Sequence, residues 1–120
     1  MPHYPPHFLN GSIIAVANGT LKKVEDLTTE DFIESANLSH DLKINVSEVV
    51  QMVPITERDT VQLSFTVGPQ KIQVTVESTL EHPFFVFNRG WSSYNPTQTL
   101  IRYKLKCCQL NIGDLCISLT

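Results

Sequence analysis

The stretch Glu81-His82-Pro83-Phe84-Phe85-Val86-Phe87-Asn88-Arg89-Gly90-Trp91-Ser92-Ser93 holds three phenylalanines and the only tryptophan of the chain. Phe84 to Phe87 is a short apolar run bounded by turn formers, the pattern of a strand buried on both faces. Asn88-Arg89-Gly90 then turns the chain. Trp91 must bury its ring while its indole N–H finds an acceptor. This segment is therefore expected at the centre of the fold, and only its first residues, around His82, are placed to carry chemistry.

Outward from that centre the pattern is mainly β. Ser12 to Ala17 is apolar and β-branched, Asn18-Gly19 is a strong hairpin signal, and Thr20 to Val24 reads as the return strand. Thr28 or Thr29 offers an N-cap, with Glu30 and Asp31 in the first turn, so Thr29 to Ala36 is expected to be a short helix. Val46 to Ile55 reads as a strand with an irregularity. Val61, Leu63, Phe65 and Val67, then Ile72, Val74 and Val76 across Gly68-Pro69-Gln70, predict a hairpin with one buried face. Arg102, Lys104 and Lys106 alternate with Ile101, Tyr103 and Leu105 and read as a further strand. Gly113-Asp114 turns into a last strand ending at Leu119. The fold class expected is a small OB-like barrel or rolled antiparallel sheet with one or two short helices.

A chain of 120 residues with 42% hydrophobic and 18% charged residues suits one globular domain. Its net charge of −3 argues against general affinity for nucleic-acid backbone, which needs a basic excess. Cys107, Cys108 and Cys116 are an odd set with a vicinal pair, a poor disulfide framework. A zinc site would need a fourth ligand such as His82 and lacks Cys-x-x-Cys spacing, so neither metal nor cofactor is expected. No signal peptide and no membrane span is read from the sequence. Pro2, Pro5 and Pro6 suggest an extended arm over residues 1–7, with the domain occupying 8–120.

Three blocks carry a family resemblance: Asn10-Gly11-Ser12 through Asp26-Leu27, Glu81-His82-Pro83 through Gly90-Trp91-Ser92-Ser93, and Leu110 through Asp114-Leu115-Cys116-Ile117-Ser118-Leu119. Together they resemble the AXH domain family, in its ataxin-1 branch, from about Phe8 to Leu119. The resemblance implies a nuclear module that self-associates and recruits transcriptional repressors and co-repressors. It also implies an OB-like barrel, a partner groove over Val24 to Leu38, dimerisation through Tyr4, Pro5, Pro6, His7, Phe8 and Leu9, and RNA binding as a further capacity.

More faintly, the same blocks resemble the self-splicing Hint domain, through Thr79-x-x-His82-Pro83. That chemistry needs a thiol or hydroxyl nucleophile at the start of the first strand. His7 stands there, and Ile117-Ser118-Leu119-Thr120 offers no asparagine to cyclise. A general base needs a partner placed within hydrogen-bond reach, and His82 alone is not expected to supply this chemistry, so an enzyme is not expected.

Two binding readings follow. Val24, Leu27, Phe32, Ile33 and Leu38 offer more apolar surface than one short helix can hide, and Ser35 and Ala36 permit close approach, which suits an amphipathic partner segment. The alternative reading is single-stranded RNA, held by Arg89, Arg102, Lys104 and Lys106 with Tyr94 and Tyr103 as stacking rings.

Overall fold

The computed structural model describes residues 13–15, 21–38 and 44–119. The expected arm, Tyr4 to Leu9, and the Asn18-Gly19 turn lie outside them. β1 (Ile13–Ala15) and β2 (Leu21–Lys23) form a small antiparallel ladder with Ala15 opposite Leu21. The chain then makes a 3-10 turn at Val24–Asp26 and enters α1, Thr29–Leu38. Two reciprocal bonds start this helix: the Asp31 amide donates to Thr28 Oγ1 at 3.4 Å, and the Thr28 amide donates to Asp31 Oδ2 at 2.9 Å. That is a capping box with aspartate in the third position.

A seven-stranded sheet follows in the order β5-β4-β3-β9-β6-β7-β8. Its strands are β3 (Ile44–Ile55), β4 (Thr60–Val67), β5 (Ile72–Thr79), β6 (Phe84–Val86), β7 (Gly90–Ser93), β8 (Cys108–Gln109) and β9 (Leu115–Leu119). Every pairing is antiparallel except β7 with β8, which is parallel. The irregularity expected in β3 is a register slip between Val49 and Gln51. The turn before β9 docks there: Gly113 N donates to Val49 O at 2.7 Å, and Val49 N donates to Asp114 O at 2.9 Å. The backbone groups at the slip are thereby satisfied.

The sheet is strongly curled. Phe65 on β4 and Phe84 on β6 are separated by two intervening strands, about 14 Å in a flat sheet at ~4.8 Å per step. Their ring centroids lie 5.9 Å apart. Val49, Val61, Leu63, Phe65, Val86, Leu110 and Cys116 fill the curl, and a second cluster of Val24, Tyr103 and Leu105 sits beneath Leu27 and Trp91. The rolled sheet is the form of the expectation that the molecule takes, with one parallel pair.

Two expectations are corrected. Residues 101–106 are not a strand: Pro96–Tyr103 is helix α2, with Asn95 Oδ1 accepting from Gln98 N at 3.1 Å, proline in its first turn, and Lys104 ending it at φ 54°. The alternation reported burial only in part: Tyr103 and Leu105 are buried and Arg102, Lys104 and Lys106 exposed, but Ile101 is 75% exposed. Nor is the β4–β5 hairpin buried throughout. Val61, Leu63 and Phe65 are covered, but Ile72, Val74 and Val76 stay exposed on the outer strand.

Candidate functional site

The central segment follows the expected strand and turn, but the strand is shorter than Phe84 to Phe87 and is not buried throughout. Phe85 and Val86 are buried in β6, Phe84 is half-buried, and Phe87 falls in the exposed turn. Asn88 at φ 60° and Gly90 at φ 96° reverse the chain, and Trp91 returns beside Phe85, edge to face at 5.2 Å. The Trp91 indole Nε1–H donates to the carbonyl of Val24 at 2.8 Å, which ties β7 to the turn before α1.

α1 lies against this aromatic pair. Phe32 meets Phe85 with ring centroids 4.5 Å apart, and Thr29 Oγ1 accepts from Asn88 N at 2.8 Å. Two depressions flank the helix and share Phe85. One, of about 330 Å³, lies at its N-terminal end and is lined by Leu27, Thr28, Thr29, Glu30, Asn88, Arg89 and Gly90. The other, of about 480 Å³, is lined mostly by carbon: Phe32, Phe65, Val76, Pro83, Phe84, Trp91 and Ile117, with His82, Ser47, Cys116 and Ser118. The His82 ring packs 4.8 Å from Phe84. This apolar groove is the candidate site.

Asp31 anchors the helix on its other side. Lys22 Nζ reaches its two carboxylate oxygens at 3.0 and 3.1 Å. Burial pushes the Asp31 carboxyl up, but the Thr28 amide, the Lys22 ammonium and the Thr28 hydroxyl outweigh it, and the net value lies below the ordinary 3.8.

Of the residues expected in a partner groove, Phe32 and Leu27 line the two depressions. Ile33, Ser35 and Ala36 are half-buried on α1, Ser35 Oγ donating to Asp31 O at 2.8 Å, and Leu38 is the last residue of the helix. Val24 is a correction. It is fully buried and serves the groove only through the carbonyl that Trp91 holds.

The expected RNA strip does not assemble as one face. Arg102 is on α2, Lys104 ends that helix and Lys106 follows it. Arg89 is elsewhere, its Nη1 on the Asp114 carboxylate at 2.9 Å. Tyr103 is 2% exposed and closed to stacking, and Tyr94 packs against the main core. Arg102 instead borders an open cleft of about 940 Å³ lined by charges of both signs, with Arg58, Asp59, Glu77 and Glu81. Among the described residues no three histidine, cysteine, aspartate or glutamate side chains gather as a metal-holding group. Cys116 is buried, Cys107 half-buried and Cys108 exposed.

Sequence reasoning missed Phe65, Phe84, His82 and Ile117 as walls of the groove. For His82 and Phe84 the one sequence signal was the crowding of aromatics after His82-Pro83; Phe65 and Ile117 had none.

Residues 8–120 match the family described as the Ataxin-1 and HBP1 module (AXH). The chain belongs to the AXH family. It is 51% identical to human Ataxin-1 over 119 residues, covering 99% of this chain and 15% of that protein. It is 47% identical to human Ataxin-1-like over 98% of this chain and 17% of that protein. For human HMG box-containing protein 1 the identity is 31%, over 92% of this chain and 24% of that protein. The AXH chain thus spans less than a quarter of the length of these relatives. The crystal structure of human HMG box-containing protein 1, HBP1, superposes with TM-score 0.50 at 27% identity, covering 87% of this chain and 80% of that one. The AXH domain of the transcription factor HBP1 from Mus musculus has the same fold, with TM-score 0.50 over 94% of this chain and 93% of that one.

Proposed function

We propose that this AXH domain is a non-enzymatic interaction module of a nuclear transcription regulator. Its groove beside α1 takes a short amphipathic helical segment of a repressor or co-repressor. The observation that carries this reading is the apolar depression walled by Phe32, Phe65, Phe84 and Ile117. A groove of that size lined by carbon suits one or two hydrophobic anchors of a helix, the common way such a segment is held. Its relatives support the setting, since one of them is described as a transcription factor. Self-association through the arm Tyr4 to Leu9 belongs to the same reading.

The experiment is a titration of a purified nuclear co-repressor complex against the wild-type domain and against Phe32→Ala and Arg102→Ala/Lys104→Ala. Phe32→Ala should weaken binding at least about tenfold, which needs only about 1.4 kcal/mol. The double variant should bind as wild type, and added salt should matter little, as for an apolar contact. Binding that falls steeply with salt and is lost in the double variant would favour the RNA-type surface instead.

A further inference from the structure

β5 pairs with β4 in unbroken register from Thr60 opposite Thr79 to Val67 opposite Ile72. Among the described residues nothing pairs with its other side, and the opposite edge of the sheet, β8, is two residues long. Long edges are normally blunted by proline, a bulge or a charge on the inward face. β5 is eight residues, IQVTVEST, with no proline or bulge, and its one charge, Glu77, lies on the other face and is held by Arg58. Its inward face continues that of Leu63 and Phe65 and carries Ile72, Val74 and Val76, which are 57%, 41% and 42% exposed.

We propose that β5 is a self-pairing edge, at which a second copy of this chain adds antiparallel about a dyad through Val74. In that register Ile72 faces Val76 of the second copy, Gln73 faces Thr75, and Lys71 faces Glu77, each pair occurring twice. The occupant and the register follow from apolar matching and charge complementarity together. A slip of one residue sets Ile72 against Glu77 and mixes the two faces. A slip of two, to a dyad at Thr75, sets Ile72 against Ser78 and leaves Lys71 opposite Thr79. Only the Val74 dyad keeps all three apolar residues matched and both Lys–Glu pairs opposed, and opposite charges across a ladder stabilise it. Arg58 holds Glu77 by a two-pronged contact at 3.0 Å within its own copy, which fixes the carboxylate in place. Lys71 leaves the hairpin turn at φ 53°, next to the strand it would meet. This surface adjoins the groove beside α1, since Val76 lines both.

The test is register-specific crosslinking in a Cys108→Ser background, with sedimentation at matched concentrations. Directly opposed residues have Cα atoms about 4.5–5.5 Å apart, within disulfide reach, while diagonal ones at ~7–8 Å are not. Val74→Cys should therefore crosslink to itself under mild oxidation, Thr75→Cys should not, and a mixture of Gln73→Cys with Thr75→Cys should. Val74→Lys should weaken self-association at least tenfold, since two lysines then meet at the dyad. Lys71→Glu, in the turn outside the strand, should weaken it too and serves if Val74→Lys fails to fold. No Val74→Cys crosslink, equal crosslinking of Thr75→Cys, or association unchanged in Lys71→Glu would overturn the proposal. So would a wild-type edge that takes up foreign strands while the chain itself shows no pairing through β5.

Discussion

Phe32 of α1 and Phe85 of β6 meet with ring centroids 4.5 Å apart, and with the Thr29–Asn88 bond this contact holds the helix against the central hairpin. Phe85 in turn abuts Trp91, whose indole holds the carbonyl of Val24 at 2.8 Å. The helix, its entry turn and the central hairpin are therefore tied together, and the apolar groove is what remains open beside them.

Trp91 is the keystone of that arrangement. Trp91→Ala should cost about 3–5 kcal/mol, the range for deleting a large aromatic from a core. Trp91→Phe should cost less but still lose the bond to Val24, on the order of 1 kcal/mol. Urea unfolding of both variants checks the order, and equal stability of all three proteins would place the ring outside the core.

Much of this was legible in the sequence. The apolar run Phe84 to Phe87, the turn after it and the need of Trp91 for an acceptor followed from composition and local pattern alone. The α1 start was legible as well, from the threonine pair and the acidic first turn. Helix α2 was misread because Tyr103 and Leu105 alternate with charged residues as a half-buried strand does. Asn95-Pro96, a cap followed by proline at the first helical position, was the available correction. The groove was less legible. Phe32 lay in a recognisable stripe, but Phe65, Phe84 and Ile117 come together only because the sheet curls, and curl leaves no trace in a two-residue period. Val24 was assigned to the surface for a similar reason, since an apolar stripe looks the same whether covered or open.

Acid should loosen the start of α1. Asp31 has a folded value below its ordinary 3.8, so the stability it contributes is present above about that pH and is lost as pH falls through the lower folded value. Asp31→Asn should therefore be less stable than wild type at pH 7, and the gap should close toward pH 2. Thermal melts across that range check the sign; a gap that widens on acidification would contradict it. Thr28→Ala, which removes the cap, should cost about 1 kcal/mol.

The cysteines should separate cleanly by reactivity. Burial pushes the Cys107 and Cys116 thiols up to about 12, leaving on the order of one part in ten thousand as thiolate at pH 8. Cys108 is exposed. A maleimide reagent at pH 8 should label one thiol per folded chain rapidly and the other two only on unfolding, as mass spectrometry would read. Rapid labelling of Cys116 in the folded protein would contradict the buried placement.

The groove makes its own demand on mutation. Phe84→Ala and Phe32→Ala both enlarge the same depression, so each should weaken the partner. Their combined effect should differ from the sum of the two, as for residues that share one contact. A double-mutant cycle read by titration decides this, and strict additivity would separate the two walls.

The most direct measurement is the affinity of the co-repressor complex for Phe32→Ala, with circular dichroism as a folding control. The account predicts a folded domain whose binding falls at least about tenfold while Arg102→Ala/Lys104→Ala binds normally. A folded Phe32→Ala domain that binds at full strength would contradict the assignment of the groove.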